Sequence, residues 1–163
     1  MSHFDEAFEM LIGHEGGYVN DPADPGGETK FGISKRSYPD YDIKKLTLDK
    51  AKAIYRWDYW NPARCDDLPP GVALVVFDAA VNSGVGQSVR WLQLAVDAQP
   101  DGVIGPKTLA AVKKSPVAGL IVELLEIRLA FMERLPTYSR FGRGWRNRII
   151  TLAMQAALVE DRA

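Results

Sequence analysis

Glu15, Asp21, Asp24 and Thr29 fall in one short stretch, His-Glu-Gly-Gly-Tyr-Val-Asn-Asp-Pro-Ala-Asp-Pro-Gly-Gly-Glu-Thr-Lys-Phe-Gly-Ile-Ser from His14 to Ser34. An acid that can give up a proton, a second carboxylate and a hydroxyl that can hold a water are the equipment for splitting a glycosidic bond. Glu15 stands seven residues after Phe8, four after Leu11 and three after Ile12, so a helix reaching it carries it on the apolar stripe. Loss of hydration there disfavours the charged carboxylate and raises its pKa, as a general acid requires. The structural alternative is a helix-end glutamate that is solvated or paired with an arginine. For Asp21 and Asp24 it is Asx-turn stabilisation, and for Thr29 a place in a strand. Calcium binding by the two aspartates is a third option, but their spacing does not follow the helix–loop–helix calcium pattern.

The elements that must hold these groups read as mainly helical. Phe4, Ala7, Phe8, Leu11 and Ile12 recur at helical spacing, Ser2 is an N-cap candidate, and Gly13 with Gly16-Gly17 stops the helix. Residues 18 to 35 predict a loop with two short strand pieces, Tyr18–Val19 and Thr29–Ile33. Thr47 predicts the cap of a second helix running to about Trp60. Pro69-Pro70 opens a third, with Val72, Val75, Val76, Ala79 and Ala80 as its buried face, closed by Asn82-Ser83-Gly84. Further helices are expected from about Gln87 to Ala98, from Pro106 to Lys114, from Pro116 to about Leu135, and from about Gly144 to the end. The element order is that of a mainly α, α+β layout: a helical bundle with a small β element after the first helix.

Composition narrows the class. The chain has 163 residues, 47% hydrophobic and 25% charged, with a net charge of −1, a balance typical of one soluble globular domain. It gives no bulk attraction to nucleic acid. Cys65 is the only cysteine, so no internal disulfide forms, and it reads as a small buried filler. No cofactor or metal is expected. No basic leader or apolar span precedes the first helix, so synthesis in the cytoplasm and action on the cell wall after release by a separate pore are expected. Between Thr137 and Val159 there are four arginines and no acids. Arg140, Arg143, Arg146 and Arg148 surround Trp145, either as a solvated helix face or as a contact for anionic wall polymer or lipid headgroups. Tyr55, Trp57, Tyr59 and Trp60 form an aromatic cluster whose faces suit sugar rings, although for Trp57 and Trp60 core packing is the expected role. Tyr18, beside Glu15, is the better cleft wall. Asp78 and Asn82 could bond sugar amides, or Asn82 could cap its helix.

Glu15-Gly-Gly-Tyr18, followed by Asn20-Asp-Pro-x-Asp24-Pro-Gly-Gly-x-Thr29-x-Phe-Gly-Ile33, resembles glycoside hydrolase family 108, the phage-type endolysins and related bacterial N-acetylmuramidases. The resemblance continues through Tyr59-Trp60-Asn-Pro, Phe77-Asp-Ala-Ala-Val-Asn82-Ser-Gly84 and Asp101-Gly-Val-Ile-Gly-Pro-Lys-Thr108. It implies one lysozyme-like domain over 1–163, with a catalytic part at 1–84 and a helical peptidoglycan-binding-type part at 85–163. It implies cleavage of the β-1,4 bond between N-acetylmuramic acid and N-acetylglucosamine, with Glu15 as the acid and glycan strands as partner to a monomer. A looser similarity to phage lysozymes, which place an aspartate nine residues after the glutamate and a threonine six further on, matches Asp24, whereas Thr29 falls one residue short. Asp21 therefore competes for the second carboxylate. A non-catalytic peptidoglycan-binding or secretion-associated protein and a lytic transglycosylase are the alternatives.

Overall fold

The structure, a computed structural model, describes residues 1–12 and 16–163. By contact density the chain forms two compact units, Met1–Asp58 and Tyr59–Ala163.

In the first unit, α1 (His3–Ile12) opens as expected. The Ser2 hydroxyl accepts the Asp5 amide at 3.1 Å and donates to Asp5 Oδ2 at 2.7 Å. These bonds satisfy donors that a helix start leaves orphaned. The Ser2 hydroxyl, then Lys52, holds the Asp5 carboxyl below the usual carboxylate range. Phe4, Ala7 and Phe8 are buried, while Leu11 and Ile12 are only half-buried, so the apolar stripe opens toward its C-terminal end. Thr47 caps α2 (Leu48–Tyr55), its Oγ1 accepting the Lys50 amide. The two helices meet through an edge-on Phe8–Tyr55 contact at 5.4 Å. Arg56 lies over the Phe4 ring, and Lys52 both pairs with Asp5 and lies over the Phe8 ring.

Between the helices lies a three-stranded antiparallel sheet, β1 (Val19–Asn20), β2 (Glu28–Lys30) and β3 (Ile33–Ser34), in order β1-β2-β3. The expected single strand Thr29–Ile33 is thus a hairpin. Phe31 and Gly32 have φ of 52° and 73°, the paired positive values of a two-residue turn whose twist matches the strands. Phe31 adopts this conformation because Tyr55 Oη donates to its carbonyl at 3.0 Å. Gly32 must be glycine, since a Cβ would lie 2.5 Å from that same hydroxyl.

The second helix does not run unchanged to Trp60: its last stretch, Arg56–Trp60, is a π-helical turn. In an α-helix residues three apart share a face, and the wider turn separates them. Trp60 is 1% exposed and Trp57 70%, so core packing holds for Trp60 and is corrected for Trp57.

In the second unit, a 3₁₀ turn (Cys65–Asp67) precedes α3 (Pro70–Ser83). Cys65 is the expected buried filler, its thiol pKa raised by burial. Every residue of α3 from Gly71 to Ala80 is buried, not only the expected face. A helix this apolar all round belongs at a centre. It is wrapped by α4 (Val85–Ala95), α6 (Val117–Glu133) and α7 (Tyr138–Asp161). Gly71 sits where a Cβ would fall 2.6 Å from the Ala156 carbonyl of α7 and 2.9 Å from Ile121 of α6. The helix α5 (Pro106–Lys114) starts at its proline, as expected. The α7 helix begins at Tyr138, not near Gly144. Gly142 and Gly144 weaken a helix by about 1 kcal/mol each, but the Tyr138 ring lies directly over Gly142 and contacts the Trp145 ring, which in turn stacks with Phe141. The expected fold class, mainly helical with a small sheet after the first helix, is the one observed.

The centre of this unit is charged. Asp78, 3% exposed on α3, accepts from Arg128 of α6 at one carboxylate oxygen and from Arg148 of α7 at the other, each at 2.5 Å. Arg128 is itself 1% exposed. Removing one partner of a buried pair strands the other charge, at a cost of about 3–5 kcal/mol. Asp78→Ala is therefore expected to lower unfolding stability by about that amount. Arg148→Ala, whose side chain is 45% exposed, is expected to cost clearly less. Urea unfolding midpoints of the two variants check the ranking.

Candidate active site

The stretch after residue 15 is built largely by its own side chains. Asp21 Oδ1 accepts the Ala23 amide at 2.9 Å, and Asp24 Oδ1 accepts the Gly26 amide at 2.7 Å. The Asp24 amide donates back to the Asp21 carbonyl, and the Gly27 amide to the Asp24 carbonyl. Both aspartates thus perform the Asx-turn role, and both are exposed. Each spends Oδ1 on its turn and keeps Oδ2 for solvent or a ligand.

The hairpin carries the next groups. Thr29 pairs with Val19 on one side and Ser34 on the other, and is half-buried, its hydroxyl 3.5 Å from the Gly27 carbonyl. Tyr18 Oη donates to Glu28 Oε1 at 2.5 Å. That bond, followed by desolvation and the carboxylate's charge, raises the Tyr18 pKa. Glu28 is a functional candidate that residue type and spacing alone do not single out. Its signal was the turn chemistry of Pro25-Gly26-Gly27, which folds the chain so that Asn20 opposes Glu28 and sets Tyr18 beside it. Gly16 has its own constraint: a Cβ would lie 2.6 Å from the Phe31 ring. Beside it opens a pocket of about 230 Å³ lined by Phe8, Ile12, Phe31, Leu48 and Lys52. Glu15, and with it the reading that its carboxyl lies on the apolar stripe, falls outside the described residues. Among those residues no group of three or more His, Cys, Asp or Glu is placed to hold a metal ion.

In the second unit the expected sugar-binding role of Asp78 is corrected: its carboxylate is buried and both oxygens are taken by arginines. Asn82 is exposed, and its Nδ2 folds back on the Asp78 carbonyl at 2.8 Å, leaving its Oδ1 for other partners. The arginine group also divides. Arg148 is spent on Asp78, Arg140 lies over the Phe141 ring, and Arg143 and Arg146 line an open groove with Tyr138 and Asn147. The Asp101–Thr108 motif closes around one side chain, Gln93 of α4, which is 1% exposed. Its Nε2 donates to Asp101 Oδ1, the Val103 carbonyl and Thr108 Oγ1, and its Oε1 accepts the Gly102 amide. Asp101 also accepts the Val103 amide, the main reason its pKa is lowered. Asp101 and Thr108 of the motif are therefore engaged in holding the fold's own loop.

A mainly helical chain with a small hairpin sheet bearing acids after the first helix is a lysozyme-like arrangement. The family model described as glycosyl hydrolase 108 matches residues 8–84, and that described as a predicted peptidoglycan domain matches 87–150. The solved structure of Brucella abortus SagA is similar over 96% of this chain and 95% of its own, with a TM-score of 0.85 and 41% identity. No curated protein matches the chain. The chain belongs to glycosyl hydrolase family 108 and carries a peptidoglycan-binding segment, which together indicate a peptidoglycan hydrolase.

The Tyr18–Glu28 bond gives a pH signature. Because the phenol is held protonated, the bond contributes fully below the free tyrosine pKa and is lost as pH rises through the raised value. Glu28→Gln is expected to shift Tyr18 ionisation to lower pH than in the wild type, as read from the ring carbon shifts of labelled tyrosine by NMR.

Proposed function

We propose that the protein is an N-acetylmuramidase of the endolysin type, hydrolysing the β-1,4 bond between N-acetylmuramic acid and N-acetylglucosamine. One observation carries this reading beyond family membership: in the loop that directly follows Glu15, Asp21 and Asp24 each tie down one carboxylate oxygen and leave the other open. A carboxylate held rigid by its own turn is prepared to face positive charge developing on a sugar ring, and such preorganisation needs no rearrangement during reaction. Glu15 protonates the leaving oxygen. Asp24 stabilises the oxocarbenium-like charge, and Thr29 orients the water that attacks. Tyr18, fixed by Glu28, offers an apolar ring edge to the sugar. Asn82 Oδ1 suits an acetamido N–H. Arg143 and Arg146 suit the carboxylates of the wall polymer. Delivery to the wall after cytoplasmic synthesis completes the proposal.

Purified peptidoglycan incubated with enzyme and analysed by mass spectrometry tests it. Wild type is expected to release fragments with reducing muramic ends. Glu15→Gln is expected to lose about 100-fold or more, the usual scale for a general acid. Asp24→Ala is expected to cost more activity than Asp21→Ala. Anhydro-muramic ends would assign a transglycosylase, and no fragments from wild type would assign a non-catalytic binder.

A further inference from the structure

We propose that the groove between Tyr41 and Trp57 is a second glycan-binding site, taking an N-acetylated sugar of a peptidoglycan strand. This rests on the substrate class argued above, but none of its residues comes from the stretch 15–34. The groove has a volume of about 320 Å³ and is lined by Tyr41, Lys50, Ala53, Ile54, Trp57 and Asp58. That volume falls within the range of about 300–1,000 Å³ typical of small-molecule sites.

The first observation is Trp57 itself. It is 70% exposed, the largest apolar side chain left in water on this unit, and its ring has no hydrogen bond or ring contact among the described residues. The second is that the groups opposite it are held in place. Asp58 Oδ2 accepts from Tyr38 Oη at 2.7 Å, and Tyr38 stands edge-on to Tyr41, with ring centroids 5.8 Å apart and planes at 89°. This chain of contacts fixes both the Tyr41 ring and the Asp58 carboxylate, whose Oδ1 stays open. A prefixed aromatic wall loses little conformational entropy when a ligand arrives.

The ligand chemistry follows from the lining. Two aromatic rings ask for an apolar C–H face, and one carboxylate oxygen asks for a hydroxyl or amide N–H. Lys50 at the rim can take a hydroxyl, a carbonyl or a carboxylate. A phosphate polymer is disfavoured by Asp58 beside the rings. An acetamido sugar presents all the requested groups at once. On an insoluble polymer such a contact would retain the enzyme between cleavage events, adding avidity without touching the chemistry.

The test uses the full chain carrying Glu15→Gln, so that binding is measured without turnover, and purified sacculi in a sedimentation assay. Adding Trp57→Ala is expected to weaken retention about 10-fold, while Trp57→Tyr, which keeps a ring, restores most of it. A soluble N-acetylglucosamine hexamer is expected to shift the Trp57 indole N–H resonance in the Glu15→Gln protein. Circular dichroism and the thermal midpoint should stay close to the parent, since Trp57 is 70% exposed. Unchanged retention in Trp57→Ala overturns the proposal. So does a solution dimer that Trp57→Ala disperses without affecting retention, which would make the ring a contact between copies. If the wild type neither binds nor degrades sacculi, the substrate reading falls and this site with it. If it degrades sacculi while Trp57→Ala is retained as before, only this site falls.

Discussion

Asp78 places a negative charge at the centre of a helix that is otherwise buried and apolar, and the second unit is organised around neutralising it. A carboxylate taken out of water costs several kcal/mol unless it is paired and hydrogen-bonded. Arg128 reaches it from α6 and Arg148 from α7, so one side chain dictates where two helices stand against a third. The apolar surface of α3 could be covered by helices in many rotational settings. The ion pairs admit few, because each guanidinium must arrive in plane with a particular oxygen.

This also bears on how the two family segments relate. The hydrolase segment ends at 84 and the peptidoglycan segment begins at 87, yet α3 from the former and α6 and α7 from the latter share one compact unit, joined through Asp78. The segment from 87 to 150 is thus not an appended module. It supplies the counter-charges for an acid that lies in the hydrolase segment, while the chain's division by contact density falls earlier, at Asp58. The Asp101–Thr108 motif serves the same unit by satisfying Gln93, a buried amide that would otherwise leave polar atoms unpaired.

Much of the first unit was legible because its signals are local. Ser2 and Thr47 cap their helices through residues three positions on, and Asp21 and Asp24 fold their own turns through residues two positions on. Errors arose where a distant partner decided the outcome. The hairpin at Phe31-Gly32 is not legible locally, because a phenylalanine at positive φ is unfavourable unless something holds it, and the holder, Tyr55, lies 24 residues away. The early start of α7 is a different case: two glycines argue against a helix there, and the ring that supports it, Tyr138, stands only four residues before Gly142.

The sequence by itself determined the caps of α1 and α2, the proline starts of α3 and α5, the turn-building aspartates and the order of elements. Each of these follows from interactions within a few residues, where spacing alone tells which groups can meet. Only the tertiary structure decided that Asp78 belongs to the interior and not to a ligand, that Glu28 holds Tyr18, and that Trp57 faces water while Trp60 does not. Those outcomes depend on burial and on charges brought together across 50 and 70 residues of chain. The free energy of a carboxylate or an indole is set by what surrounds it in space.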